Sequence, residues 1–345
     1  MMMPPSRPVL PYYYPSTVVV IDDDRAFLDS FQFRYGSRLL CRTFDDAGAA
    51  IRHIERATPA TPRHSGCLEA SFDAAIALGV PPSDQAVIFH PSVIRNVVHD
   101  PDRFAEVSVA IVDYDMPGEN GIEICRRLRD HPVRTVMLTG KADEKLATSA
   151  FNQGLIDRFV LKHDSATVDR LDELIAELQL DYFDRMLKDL KSILGLQDSA
   201  FLGDESFSHL LDQIRKREKV VEYYLSHTPP GLLMLRADGT RRMLLVQHDD
   251  ALDVYKADEG SIDGEGMPPG LSARIENGGV QPWFPTPHGL YTPDCRADWQ
   301  AHLYPFERVG PWRCSVIGDD ALAGGANRPV VSYNAYRRRP HQENS

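Results

Sequence analysis

The sequence offers little to several common readings. Its five cysteines, Cys41, Cys67, Cys125, Cys295 and Cys314, are odd in number, widely spaced and without a C-x-x-C pair, which speaks against a disulfide framework or a zinc knuckle. Twelve histidines include no H-x-x-x-H or H-E-x-x-H spacing, so an imidazole-built metal site has no support. No run of 18 apolar residues exists, and prolines at 4, 5, 8, 11 and 15 spoil the continuous apolar stretch that a signal peptide needs. The expected location is therefore cytoplasmic, with no membrane partner. Positive charge is also scarce: 38 Lys and Arg face 50 Asp and Glu, a formal charge of -12, which excludes a surface built to coat nucleic acid.

What the chain does have is alternation. Thr17 to Ile21 (TVVVI) is a short β-branched run that reads as a fully buried strand, and it ends in Asp22, Asp23 and Asp24. A helical pattern from Ala26 to Tyr35, a strand at Leu39 to Phe44 and a helix at Ala47 to Arg56 follow. Regularity lapses between about 57 and 106, where six prolines punctuate two short helices expected around Cys67 to Leu78 and Pro91 to Val98; this reads as an insertion. The alternation then resumes: strand Val107 to Val112 ending in Asp113, helix Gly121 to Arg129, strand Thr135 to Leu138, helix Asp143 to Gln153, and strand Phe159 to Leu161 ending in Lys162.

Strands alternating with helices predict an α/β fold with a five-stranded parallel, doubly wound (flavodoxin-like) sheet, whose functional side chains gather at the carboxyl ends of the strands. Asp22, Asp23, Asp113, Thr139 and Lys162 all fall there. Clustered carboxylates repel one another and invite a hard divalent cation such as Mg2+. With that charge and a lysine ammonium nearby, an aspartate can accept a phosphoryl group.

The blocks V-I-D-D-D, I-V-D-Y-D-M-P-G-E-N-G (Ile111 to Gly121), M-L-T-G and F-V-L-K, in this order, resemble the CheY-like receiver domain of two-component response regulators. The resemblance runs from Thr17 to about Leu178. It implies Asp113 as phosphoacceptor; Asp22, Asp23, Asp113 and the backbone carbonyl of Asp115 as Mg2+ ligands; Lys162 and Thr139 as phosphate-binding groups; and Thr139 with Phe159 as the switch pair. A histidine kinase or phosphotransfer protein is the implied phosphodonor. The chain departs from the family in the 90 positions separating Asp23 from Asp113, in His163 where proline commonly follows the lysine, and in Gly140 where alanine is frequent. The rival reading is a haloacid-dehalogenase-like phosphatase, since Asp113-Tyr114-Asp115 satisfies D-x-D.

The expected organisation is a Pro-rich leader (1–15), a receiver with its insertion (16–178), a helical connector (179–225), a mixed α/β output domain of unknown type (226–335) and a mobile tail (336–345). An apolar stripe from Val168 to Leu194 suits either helix packing or a homodimer surface, and Phe207 to Leu225 reads as one amphipathic helix. Residues 226–345 hold 12 basic and 15 acidic groups and no evident helix-turn-helix spacing, which makes nucleic acid an unfavoured partner and a DNA-binding output the alternative. No cyclic-dinucleotide enzyme motif is present. The chain is thus expected to be no enzyme beyond catalysing its own phosphorylation and dephosphorylation, its output working by protein or ligand binding. The Trp- and Pro-rich stretch 281–312 reads as aromatic core or as a recognition surface.

Overall fold

The computed structural model describes residues 8–58, 61–71, 86–140, 143–162, 171–188, 190, 199–250, 273, 275, 279–284, 299–318 and 329–339. Contacts divide the chain into two compact units. One comprises Tyr13–Arg63 and Pro101–Asp189; the other comprises Met1–Tyr12, His64–Asp100 and Leu190–Ser345.

The first unit is the expected parallel α/β domain. Its strands are β2 (Thr17–Ile21), β3 (Leu40–Phe44), β6 (Val107–Asp113), β7 (Arg134–Thr139) and β8 (Arg158–Leu161), in the spatial order β3-β2-β6-β7-β8 with every pair parallel. The two central strands, β2 and β6, are buried along their whole length, as expected for apolar runs covered on both faces. On one face Val19, Ile21, Ala110, Val112 and Met137 pack against α2 (Ala47–Ala57), α4 (Gly121–Arg127) and α5 (Glu144–Asn152). On the other, Val18, Val20, Val109, Ile111 and Val136 pack against α1 (Arg25–Tyr35) and α6 (Leu171–Met186).

Helix α6 corrects the expectation of a long connecting helix. Ile175 and Leu178 sit in the core of this domain, and Phe183 meets Tyr13 and Tyr14 edge-on at ring separations of 5.5 and 4.9 Å. The apolar stripe is used inside the domain over these residues, while Val168 and Leu194 at its ends lie outside the described residues.

The second unit is mixed α/β, with an antiparallel sheet. Its six-stranded sheet has the order β1-β9-β10-β11-β15-β14, from β1 (Tyr12–Tyr13), β9 (Val220–His227), β10 (Pro230–Arg236), β11 (Arg241–His248), β14 (Glu307–Val309) and β15 (Trp312–Gly318). A separate two-stranded ribbon pairs β12 (Val280–Pro282) with β13 (Leu303–Pro305). The β10–β11 hairpin turns at Asp238-Gly239, as its sequence implies, with Gly239 at φ 90°.

Four further expectations are corrected. The supposed leader is structured from residue 8: Tyr12 begins the edge strand β1, and Val9, Leu10 and Tyr12 are buried. Proline at 11 is compatible with an edge strand, where a missing N–H leaves no ladder bond unmade. The insertion contains a β-hairpin, β4 (Leu68–Ser71) with β5 (Ala86–Phe89), where a helix at Cys67 to Leu78 was expected, although the second expected helix is present as α3 (Pro91–Asn96) and a short 3-10 turn. Its central part, His64–Asp100, belongs to the second unit, where Arg95 Nη1 donates to the carbonyl of Thr228 at 2.8 Å. The helix expected to reach Leu225 ends earlier: α7 (Glu205–Glu218) stops at Lys219, which adopts φ 55°, and the next residue opens β9. Finally, the supposed tail starts inside helix α8 (Tyr333–Arg337), capped by the Ser332 hydroxyl, while residues 340–345 lie outside the described ones.

Candidate functional site: a carboxylate cluster at the strand ends

The parallel register brings the predicted residues to one rim. Ile21 pairs with Val112, Asp113 with Leu138 and Thr139 with Leu161, so Asp22, Asp113, Thr139 and Lys162 follow one another across neighbouring strand ends. Three carboxylates, those of Asp22, Asp23 and Asp113, have oxygen atoms within 4.8 Å of one another. Asp22 is fully buried, Asp113 nearly so at 4% exposure, and Asp23 faces solvent. Asp24, the third aspartate of the triplet, serves the helix instead: it caps α1, its carboxylate accepting from the backbone N–H groups of Ala26 and Phe27 at 2.9 and 3.3 Å.

Lys162 closes the cluster. Its Nζ lies 2.7 Å from Asp22 Oδ2 and 2.8 Å from Asp113 Oδ1, and its own backbone N–H donates to the Thr139 carbonyl at 3.1 Å. The electrostatics follow from this placement. Burial pushes the Asp22 carboxyl above the usual carboxylate value, assisted by the charge of Asp113 and opposed by Lys162 and the Asp24 N–H. For Lys162, burial alone would lower the ammonium, but hydrogen bonds and charge from Asp113 and Asp22 outweigh it and raise its pKa. Charge at this rim is held under tension: two carboxylates share one ammonium in a poorly hydrated place.

Thr139 is fully buried, and its hydroxyl donates to the Gly140 carbonyl at 3.1 Å. Phe159 is half-buried against the core, its ring edge-on to Phe151 at 6.5 Å. The Asp115 side chain is exposed and is not among the clustered carboxylates, so the D-x-D spacing does not bring two side chains to one centre. His163 lies outside the described residues.

Two residues of the site escaped the sequence reading. Phe27 lies on α1 with its ring centroid 5.1 Å from Lys162 Nζ, a cation–π distance that steadies the ammonium. Gly121 opens α4 hard against β6: a Cβ there would stand 2.3 Å from the Asp113 carbonyl oxygen, so a residue without a side chain is required. The glycine in the G-E-N-G block was the available signal.

Residues 95–191 match the model of the response regulator receiver domain. This part of the chain is a receiver domain. The match begins beyond most of the insertion, and the receiver's acidic pair Asp22-Asp23 falls outside the matched range, yet the fold returns it to Asp113. Among solved structures, that of the Legionella pneumophila response regulator LqsR is similar over 97% of this chain and 97% of its own, with 27% identity and a TM-score of 0.75. A receiver domain protein from Clostridium thermocellum is 16% identical over 50% of this chain and 96% of its own, with a TM-score of 0.30. A CheY-like receiver protein from Methanospirillum hungatei is 17% identical over 48% and 96%, again with a TM-score of 0.30. No curated protein matches. The receiver domain supports a role in two-component signalling, and no helix among the described residues is long and apolar enough to cross a membrane.

Proposed function

We propose that the chain is a cytoplasmic phosphorelay response regulator in which Asp113 receives the phosphoryl group. The observation carrying this reading is the meeting of three carboxylates within 4.8 Å with one lysine bridging two of them. Receiver domains generally bind Mg2+, and the donor set fits: hard carboxylate oxygens, one buried and charge-crowded, with a solvent-facing member at Asp23. Asp22, Asp23 and Asp113 would hold the cation, joined through the family resemblance by the Asp115 carbonyl. When bound, Mg2+ supplies positive charge for the equatorial phosphoryl oxygens.

The residues of the chain do the rest. An Asp113 carboxylate oxygen attacks phosphorus in line, the P–N bond of a phosphohistidine on a histidine kinase or phosphotransfer protein breaks, and the imidazole leaves with the bonding pair and takes up a proton. Lys162, already beside Asp113, pairs with the new phosphoryl oxygens. The Thr139 hydroxyl turns from the Gly140 carbonyl to a phosphoryl oxygen, and the space it vacates lets Phe159 move inward, a two-position switch driven by one hydrogen bond. No turnover beyond this self-catalysed phosphorylation and dephosphorylation is proposed. The second unit then acts by binding a protein or a small ligand.

The test is phosphorylation of the full chain by a small-molecule phosphodonor with and without Mg2+, followed by intact mass. Native protein is expected to gain a phosphoryl group only with Mg2+, and Asp113→Asn to gain none. Undiminished labelling of Asp113→Asn, or labelling of the native protein without the cation, overturns the assignment.

A further inference from the structure

The second unit contains buried polar atoms whose hydrogen-bonding capacity is unused. On β11, Met243, Leu245 and Gln247 alternate onto one face of the sheet, and on β15 Ile317, Ser315 and Arg313 do the same; the cross-strand pairs are Met243 with Ile317, Leu245 with Ser315 and Gln247 with Arg313. The first two rows begin an apolar cluster with Trp283 and Tyr304, over which the β12–β13 ribbon is laid. The last row is polar. Gln281 on the ribbon is fully buried and Gln247 is 8% exposed, yet the side-chain oxygen of each is buried without a hydrogen-bond partner, as is Nη1 of Arg313.

The orientation of both amides is fixed by chemistry. Ser315 spends its only proton on the Pro305 carbonyl at 2.7 Å, so its oxygen can only accept from Gln281, which must present Nε2, at 2.7 Å. Gln247 faces the Pro282 carbonyl at 3.4 Å, which also only accepts, so it too must present its nitrogen there. Both amide oxygens are therefore turned away as free acceptors. Arg313 is held by Nε to Asp249 Oδ1 at 2.8 Å, which leaves Nη1 as a free donor on the same patch. Buried polar groups left unpaired are expensive, and three on one patch, held by pairings that forbid them to turn inward, mark a place prepared for a partner.

We propose that this patch under the β12–β13 ribbon binds a small flat molecule offering two adjacent N–H donors and one carbonyl acceptor. That pattern is the 2-amino-4-oxopyrimidine edge, shared by guanine and pterins: the ring N–H and exocyclic amine donate to Gln247 and Gln281, the carbonyl accepts from Arg313, and Trp283 and Leu245 supply the apolar wall. The proposal makes specific the ligand-binding output suggested above, but it does not depend on Asp113 chemistry, because binding is measured on unphosphorylated protein.

The experiment is isothermal titration of the full chain with guanosine and, separately, with pterin, against inosine, which lacks the exocyclic amine, and adenosine, which lacks the whole pattern. One or both of the first pair is expected to bind, inosine about ten-fold or more weakly for its missing hydrogen bond, and adenosine not at all. The guanosine and pterin arms tell the two sources apart. Gln281→Leu and Gln247→Leu are expected to abolish binding, with circular dichroism checking that each variant keeps the native fold. Absence of binding by both guanosine and pterin at millimolar concentration, equal binding of adenosine, or unchanged affinity in the leucine variants overturns the proposal. Such results would leave the patch to buried water. Should a variant fail to fold, the selectivity series on native protein alone decides.

Discussion

Among the described residues of the receiver two carboxylates are fully buried, and they sit at opposite ends of the same sheet. Asp22 follows the last residue of β2, and Glu106 precedes the first residue of β6. Glu106 is surrounded by groups that can only settle it: Tyr14 and Tyr182 donate their hydroxyls to its two oxygens at 2.6 Å each, and Arg63 Nε pairs with it at 2.7 Å. Asp22 instead shares its lysine with Asp113 and stands beside a third carboxylate. At one end a buried charge is matched to its donors and fastens Tyr14, Arg63 and α6 together. At the other, buried charge exceeds what the chain itself provides, and the excess is what a cation and a phosphoryl group can use.

The sharpest way to break this contrast is to remove the settled charge. Glu106→Ala removes the shared acceptor of a partly buried guanidinium and two buried phenol hydroxyls, and a loss of about 3 kcal/mol is expected in urea denaturation. A loss under about 1 kcal/mol would mean that the two ends differ less than their geometry suggests. The opposite sign is expected at the rim. The raised Asp22 pKa means that its contribution to stability is fully present below the unfolded-chain value and is lost as pH rises through the folded value, so its charge is a burden at pH 7. Asp22→Asn should therefore melt about 3 °C higher without Mg2+ while losing the Mg2+-induced rise of the native protein, as calorimetry with and without the cation would show.

The smallest effect concerns His53 on α2, whose pKa is lowered to about 4 by burial and by the neighbouring charges of Arg42 and Arg56. It folds neutral, so the stability it contributes is present above about pH 6.5 and drains away as pH falls toward 4. His53→Gln should flatten the melting temperature over that interval, the glutamine being uncharged throughout. An unchanged acid slope would place the sensitivity elsewhere.

The rim was legible in the sequence because parallel strands buried on both faces leave polar residues only at their ends, and TVVVI-D-D and VSVAIV-D announce those ends directly. The opposite end was not legible. Glu106 closes a stretch with no periodicity, and its partners Tyr14 and Tyr182 are separated from it by 92 and 76 positions. Long-range pairing also hid the boundary between the units: Tyr12 reads as part of a proline-flanked leader until β9 is there to receive its strand. The end of α7 was missed for a local reason. Lys219 takes a left-handed conformation usually announced by glycine, and the better signal was the β-rich V-V-E-Y-Y that follows.

The placement of β1 beside β9 has a consequence for how the chain is made. Strand β1 leaves the ribosome some 200 residues ahead of its partner β9, which at ordinary elongation rates is a wait of roughly 10–40 s. Throughout that interval the tyrosine-rich segment has no ladder to join, while the polypeptide for the parallel sheet has already emerged. Biosynthesis thus completes this sheet by recovering a segment synthesised long before its partner.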